Sequence, residues 1–382
     1  MALPIAREKL GKAFFLLSII IIIVLAALLF GKRFGLFFKK APFSLKLVRI
    51  IGSKEGLKGP AGVAFGKRND IYVVDSGNSR VVKFGIKGNY IRQWGIEGKT
   101  SGEFMVPLFA SAYGNPERIY VVDSGNSRIE VFKPDGRFVS EWGNAGNNAK
   151  TKLSEPTFAG FAYDKLYVAN SGADDIIIYF KDGRFYERKG KAAILNANAG
   201  FKSGKGSGHG LKTGAADGAD NKNGKNGKNG GNVSGAKPAA SLRKAAVLAD
   251  IFKKPVGLAF SKKYIYVSDY SLSKILVFNR EFDYIGSIGT SGDSGYQLHH
   301  PVGIVYKNGY LYVANYGRSI LTVFKLNDGF NVVKTYNFGT PGSGRRNFNH
   351  ESNISISRGG KYLAVADTNN NRILIYRIFG SS

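Results

Sequence analysis

The sequence predicts an all-β protein, a six-bladed β-propeller, preceded by one transmembrane helix. A unit of about 47 residues recurs along the chain, and each copy holds four short apolar segments separated by polar turns. β-Branched and aromatic residues fill these segments, as half-buried strands favour, and 50 glycines supply the turns. An unbroken apolar run near the N-terminus predicts the helix.

The repeat is clearest where IYVVDSGNSR occurs at 71–80 and again at 119–128. Each copy begins with an apolar strand after a proline, such as PAGVAF at 60–65, and continues with a strand that ends in Asp or Asn. A polar turn, a third strand and a fourth strand complete the unit. Later copies begin at PLFASA (107–112), PTFAGF (156–161), PVGLAF (255–260), PVGIVY (301–306) and NISIS (353–357). Because a lone blade would leave both faces in water, the copies must stack around an axis.

The sixth copy lacks a fourth strand, since the sequence ends shortly after ILIYRIFG at 373–380. A segment of the missing form stands before the first copy, where LKLVRIIG occupies 45–52. We therefore expect the N-terminal strand to complete the last blade, which closes the ring and removes its open edge. This expectation sets the number of blades at six.

The apolar run covers residues 13–30, of which Ser18 alone is polar, and it is just long enough to cross a hydrocarbon core. We divide the chain into a short leader (1–12), this helix, a basic juxtamembrane linker (31–44) and the propeller (45–382). A cleaved signal peptide is the competing interpretation, but the run is long and no small-residue cleavage site follows it. The flanking cations are nearly balanced, so the short leader is what leads us to expect an extracytoplasmic propeller.

Residues 191–246 interrupt the repeat between the third and fourth copies and include KNGKNGKNGG at 222–231. A segment so rich in Gly, Asn and Lys buries too little apolar surface to offset its ordering entropy, which predicts a disordered basic loop. The loop either grips an anionic surface or is a tolerated insertion without a partner. A net charge of +28 favours acidic glycans, lipid headgroups or nucleic acid as partners, and the absence of cysteine excludes disulfides and thiolate chemistry.

The repeat unit, P-x-G-V-A-F followed by I-Y-V-V-D-S-G-N-S-R and a final W-G, resembles the NHL repeat across residues 45–382. The resemblance weakens in the third and fifth copies, where Asn170 and Asn315 replace the aspartate. It implies a six-bladed propeller that binds proteins, RNA or other polymers, in some bacterial proteins outside a single membrane helix. Three copies carry the polar signature of the repeat: Asp75, Asn78 and Arg80; Asp123, Asn126 and Arg128; and Asp367, Asn370 and Arg372. We interpret it as structural, because Asp and Asn close turns and Arg pairs with Asp.

One position in each copy, directly before the first strand, is expected to ring a mouth of the central channel. Its occupants are Gly59, Val106, Glu155, Lys254, His300 and His350. The last four are candidate binding residues, and a Glu with two His is also a possible metal-ligand set. The amidating lyases, which resemble NHL propellers, use channel histidines with zinc. However, Glu155 lies across the ring and Lys254 brings a cation, so we favour a polar channel lining and predict no metal and no cofactor.

These features predict a membrane-anchored recognition or scaffold module, not an enzyme, that binds a protein or an anionic polymer such as an acidic glycan or lipid headgroups. A first alternative is a metal-dependent lyase or hydrolase with its site in the channel, which His300 and His350 would serve. A second alternative is an RNA-binding NHL protein, which requires the propeller to face the cytoplasm.

Overall fold

The computed structural model describes Ser18 and residues 43–52, 54–143, 150–190, 251–289, 297–328 and 330–380. Leu45–Arg377 form one compact unit, the propeller, and the described residues before and after this range are assigned to a second unit. Apart from Ser18, the predicted transmembrane helix (13–30) lies outside the described residues, as does the predicted loop at 191–246. No helix within the described part of the chain is long and apolar enough to cross a membrane.

The described residues form 24 strands in six four-stranded sheets. The first strand, β1 (Ser44–Ile51), belongs to the last sheet. The first three sheets comprise β2 (Pro60–Phe65), β3 (Ile71–Asp75), β4 (Arg80–Phe84) and β5 (Tyr90–Trp94); β6 (Pro107–Tyr113), β7 (Arg118–Asp123), β8 (Arg128–Phe132) and β9 (Phe138–Trp142); and β10 (Pro156–Ala162), β11 (Lys165–Asn170), β12 (Asp175–Phe180) and β13 (Phe185–Gly190).

The fourth, fifth and sixth sheets repeat this arrangement. They comprise β14 (Pro255–Phe260), β15 (Tyr264–Asp269), β16 (Lys274–Asn279) and β17 (Tyr284–Ile288); β18 (Pro301–Lys307), β19 (Tyr310–Asn315), β20 (Ile320–Leu326) and β21 (Val332–Phe338); and β22 (Glu351–Ile356), β23 (Tyr362–Asp367) and β24 (Arg372–Phe379) with β1. Short 3₁₀ turns separate the second and third strands of five blades, at Ser76–Asn78, Ser124–Asn126, Ser171–Ala173, Tyr316–Arg318 and Thr368–Asn370.

The innermost strands close a ring. Each of β2, β6, β10, β14 and β18 contacts the innermost strand of the next blade, and β22 contacts β2. The sixth sheet has the order β1-β24-β23-β22, so the N-terminal strand is its outer strand. The prediction of six blades with an N-terminal strand in the last blade is therefore confirmed.

The buried core lies between neighbouring blades. The second strands are the most deeply buried, because all five residues of β3 lack solvent contact, whereas the outer strand β5 is mostly exposed. Blades approach closely at the inner strands: a Cβ atom on Gly62 would lie 2.7 Å from the carbonyl oxygen of Leu108 in the next blade. Glycine at this position therefore lets two blades pack backbone against backbone.

Strand direction gives the propeller two distinct faces. The inner strands begin on one face, which also carries the 3₁₀ turns and the connections between blades; we name it the ring face. The opposite face carries the hairpins that join first and second strands, and we name it the hairpin face. The candidate residues that precede each first strand all lie on the ring face.

Candidate functional site

The polar signature of the repeat holds the connections on the ring face. Asp123 accepts hydrogen bonds at Oδ2 from Asn126 (2.7 Å) and from Nε of Arg128 (3.0 Å). Its Oδ1 accepts the backbone N–H of Met105 (2.7 Å), just before the first strand of the same blade. The equivalent atoms of the signature residues in the first and sixth blades make the same three bonds: Asp75, Asn78 and Arg80, and Asp367, Asn370 and Arg372.

The arginine of the signature fastens the connection that precedes its blade. Arg128 donates to the carbonyl oxygens of Lys99, Thr100 and Glu103 at 2.7–2.9 Å and pairs with Glu141 at 2.9 Å. Arg128 is 2% exposed, and burial raises the pKa of Asp123 although the arginine opposes the shift. Such a guanidinium satisfies backbone acceptors that water does not reach, so it positions the ring face and does not offer itself to a ligand.

The third blade keeps this ion pair with different residues. Asn170 replaces the aspartate, and its side chain donates to Asp175 (2.8 Å), which stands at the position of the usual arginine. The arginine comes instead from the outer strand, where Nε of Arg188 lies 2.6 Å from Oδ2 of Asp175. Sequence reasoning missed this arrangement, since each of the two charges has moved one strand outward in the blade.

The ring position adopts a left-handed backbone in most blades. Five of its six occupants have positive φ angles of 44–56°: Gly59, Val106, Glu155, His300 and His350. Each histidine is tied to the turn of the preceding blade, since the N–H groups of His300 and His350 donate to Oγ of Ser273 and Ser319, both at 3.2 Å. Bulky side chains are thus held at a position where the backbone is strained, which is common at functional sites.

The two histidines take part in a continuous row of rings. Tyr270 and Tyr316 occupy the first position after the second strand, where the other blades carry Ser or Thr. The ring of Tyr270 lies 4.3 Å from that of His300, and the ring of Tyr316 lies 4.6 Å from that of His350. Tyr270 and Tyr316 are 6.2 Å apart, and Nζ of Lys254 stands 5.4 Å from the centre of Tyr270. We name these five residues the aromatic arc.

Hydrogen bonding leaves one nitrogen of each imidazole available. Nδ1 of His300 lies 3.3 Å from the carbonyl oxygen of Tyr270, which can only accept, so this nitrogen carries the proton when the ring is neutral. Nδ1 of His350 contacts the side chains of Asn349 and Asn369, both at 2.9 Å. The Nε2 atoms have no hydrogen bond to the described residues, so both can meet a ligand.

The structure brings Lys254, His300 and His350 into the arc but not Glu155. In the part of the chain that the structure describes, no three His, Asp or Glu side chains are grouped so that they could hold a metal ion. The arc therefore combines one cation, two titratable imidazoles and two phenol rings on the exposed ring face. Such a surface can stack against flat or ring-shaped groups and attract negative charge.

A buried carboxyl group lies beneath one end of the arc. Glu351 follows His350 and takes the place that proline holds in the other five blades, since its register with Asp367 matches that of Pro60 with Asp75. It is 0% exposed, and neither carboxylate oxygen accepts a hydrogen bond from the described residues. Burial raises the pKa of Glu351 to about 8, and the charge of Asp367 acts in the same direction. Sequence reasoning missed this group, although its replacement of proline was a visible signal.

The hairpin face has a depression of its own. It has a volume of about 880 Å³ and is lined by hairpins of the first, second and sixth blades, with Lys181 of the third. Apolar walls come from Phe65 and Ile356, Lys67 and Arg358 bring positive charge, and Glu117, which accepts the backbone N–H of Lys67 at 2.7 Å, brings one negative charge. Nothing in the sequence distinguished these residues as a group, because each belongs to a different blade.

Comparisons with known proteins agree with this architecture. The model of the NHL repeat matches residues 57–84, which include β2, β3 and β4. The chain is a six-bladed β-propeller that contains an NHL repeat. Among curated proteins there is no match to this propeller.

Solved structures of other propellers share the fold at low sequence identity. A gluconolactonase from Xanthomonas campestris is 14% identical, with 90% of this chain and 92% of that chain covered and a TM-score of 0.53. A PQQ-bound aldose sugar dehydrogenase from Streptomyces coelicolor is 13% identical (88% and 99% covered, TM-score 0.51), and virginiamycin B lyase from Staphylococcus aureus is 11% identical (88% and 99%, 0.50). At these identities the likeness shows the propeller fold alone.

Proposed function

We propose that this propeller is a recognition module, held at a membrane by residues 13–30, whose ring face binds an acidic glycan without converting it. The aromatic arc carries this proposal. Sugar rings present apolar C–H faces that pack on phenol and imidazole rings, and carboxylate or sulfate groups are attracted by Lys254. The arginines of the repeat signature lie on the same face, but their guanidinium groups are already bonded within the protein. We therefore give them no part in binding.

Recognition without catalysis suits the chemistry of the arc. Among the described residues beside the aromatic arc, one carboxyl group has a strongly raised pKa, that of Glu351. This side chain is fully buried. A general acid or base must reach the reacting group within hydrogen-bond distance, and a side chain without solvent contact does not.

Binding of an acidic glycan to the purified full-length protein in detergent tests the proposal, with polygalacturonate and heparin as probes. We expect Tyr270→Ala and Tyr316→Ala each to weaken binding by about three- to tenfold, because each removes one stacking surface. Tyr186→Ala is the matched control, since it removes an exposed tyrosine of the third blade away from the arc and should leave binding unchanged. Equal losses in all three variants, or no binding by the wild type, would reject the proposal.

A metal-dependent lyase or hydrolase is the second candidate, favoured by the two available Nε2 atoms of His300 and His350. Metal analysis of the purified protein separates the candidates. Stoichiometric zinc or calcium that disappears in a His300→Ala, His350→Ala double variant supports the enzyme, whereas no bound metal supports recognition.

The proposed orientation, with the propeller outside the cytoplasm, has its own test. Because the chain lacks cysteine, a Lys99→Cys variant carries a single thiol, which lies on the ring face in the connection before the second blade. A membrane-impermeant maleimide added to intact cells should label it without lysis. Labelling that appears only after lysis would place the propeller in the cytoplasm and favour the RNA-binding alternative.

A further inference from the structure

Positive charge on the hairpin face is concentrated in four consecutive blades. The hairpins of blades four, five, six and one carry Lys262, Lys263, Lys307, Arg358, Lys361, Lys67 and Arg68. We name these residues the basic arc. All are exposed except Lys307, which is half-buried and donates to the carbonyl oxygen of Arg358.

The charges of the basic arc are not neutralised within the protein. None of its seven residues forms a salt bridge with a described side chain. Asp70, the one carboxylate in these four hairpins, is paired with Lys83 at 2.8 Å, and Glu117 of the second blade accepts the backbone N–H of Lys67. On the ring face the signature arginines Arg80, Arg128 and Arg372 are each paired with an aspartate, although exposed lysines such as Lys99 and Lys254 are not. The basic arc therefore offers uncompensated charge to an anionic surface.

Apolar side chains border the basic arc on the outside. Outer strands of blades one, four and five begin at the hairpin face with exposed residues: Tyr90 and Ile91, Tyr284 and Ile285, and Val333. Aromatic and aliphatic side chains beside lysine and arginine are the combination that settles at the interface between lipid headgroups and water.

The direction of β1 places the start of the propeller on the same face. Gly52, just after β1, packs against Asn371 and Arg372 at the start of β24, so the two strands run in opposite directions. Since β24 begins on the ring face, β1 leads from the hairpin face toward the ring face. The polypeptide thus enters the propeller at Leu45 on the hairpin face of the sixth blade, which belongs to the basic arc, and 14 residues separate Leu45 from the apolar run 13–30.

From these observations we propose that the hairpin face docks on a bilayer of anionic lipids through the basic arc, with the ring face turned away from the membrane. The depression at Arg358 and Lys67 then faces the headgroup phosphates, which a guanidinium binds through two parallel hydrogen bonds. The inference goes beyond the proposed glycan site, which lies on the other face and remains accessible in this orientation.

The test compares two single-cysteine variants of the full-length chain in lipid nanodiscs. Lys361→Cys places a spin label on the hairpin face, and Lys99→Cys places the same label on the ring face with the same loss of charge. Nickel-chelating lipids in the bilayer relax a nearby spin. We expect stronger relaxation at position 361 than at 99, with a difference that grows when phosphatidylglycerol replaces phosphatidylcholine. Equal relaxation, stronger relaxation at 99, or no effect of lipid charge would overturn the proposal.

Charge reversal provides the matched control. The triple variant Lys262→Glu, Lys263→Glu, Lys361→Glu removes cations of the basic arc, and Lys54→Glu, Lys99→Glu, Lys152→Glu changes the net charge equally on the ring face. In sedimentation with phosphatidylglycerol vesicles, which needs no membrane helix, the first should weaken binding at least about a hundredfold and the second only slightly. Equal effects would reject the hairpin face as the docking surface. Failure of the glycan proposal leaves these results unchanged, because Tyr270→Ala affects the ring face only.

Discussion

Replacing Glu351 by proline is expected to stabilise the protein, and more so at high pH. Proline occupies this position in five blades, so the backbone accepts it. The pKa of the buried carboxyl rises from 4.5 to about 8, which means that the native state keeps a proton that the unfolded chain releases between these pH values. Because the native state then binds more protons, the free energy of unfolding of the wild type falls as pH rises through this window.

The magnitude follows from the size of the shift. About 3.5 pKa units at 1.36 kcal/mol each correspond to ~5 kcal/mol of unfolding free energy. The wild type keeps this stability below pH 4.5, loses it progressively as pH rises, and has lost all of it above about pH 8. The two unpartnered oxygens of Glu351 add a penalty of ~1–3 kcal/mol that persists when the group is protonated. Glu351→Pro should therefore exceed the wild type by ~1–3 kcal/mol near pH 5 and by several kcal/mol more near pH 9.

Urea unfolding followed by tryptophan fluorescence measures this difference, since Trp94 and Trp142 both lie in the propeller. Glu351→Gln serves as the control, because it removes the titration and keeps the unpartnered polar atoms. Other groups near the site, His350 and Tyr316 included, are common to all three proteins, so their titration largely cancels in the differences. The reasoning fails if the stability of the wild type relative to Glu351→Pro stays constant or rises between the two pH values.

Three further predictions concern the packing of the blades, each read by urea unfolding. Arg128→Ala should lower the free energy of unfolding by ~3–5 kcal/mol, because it leaves buried carboxylates unpaired. Arg80→Ala should lower it less, since the Arg80 side chain is 18% exposed. The reverse order would contradict the burial argument. Arg188→Ala should cost ~3 kcal/mol although no repeat signature marks it, and a loss below ~1 kcal/mol would show that the third blade does not need the shifted ion pair. Gly62→Ala should cost ~1–3 kcal/mol through overlap with the next blade, whereas Gly359→Ala, whose Cβ would meet no atom within 4 Å, should change stability by less than ~0.5 kcal/mol; similar values would refute the close approach of inner strands.

Most of the propeller architecture could be predicted from local sequence patterns. Alternation of apolar residues and the prolines before the first strands located β2 at 60–65 and β14 at 255–260, as the structure has them. The strand at 45–52 was recognised because its form matched the missing member of the sixth copy. Such features depend on neighbouring residues and on the repeat itself, so one sequence suffices to read them.

Interactions between strands of one blade were harder to predict. Asp175 and Arg188 lie 13 residues apart, and neither occupies its usual place in the repeat, so the third copy looked degraded while its ion pair is intact. The fold tolerates this shift because β13 is paired with β12, so that Arg188 of the outer strand reaches Asp175.

Contacts on the ring face were also hard to predict from the sequence. Counting copies placed His300 and His350 at equivalent positions, but it did not reveal the left-handed backbone there or the stacking on Tyr270 and Tyr316. Those tyrosines were hidden because the other blades carry small hydroxyl residues at their position, and contact with the histidines arises only when neighbouring blades are assembled.

The last blade joins the first and last strands of the propeller, so the ring cannot close before β24 has been synthesised. The N–H of Gly59 and the side chain of Asn371, which are bonded at 2.7 Å, are 312 residues apart in sequence. On the ribosome, β1 emerges early and has no partner until β24 is made, so an apolar strand edge stays open while most of the chain is translated. Contacts this distant slow folding, and loss of β24 would release the beginning of the propeller together with its end.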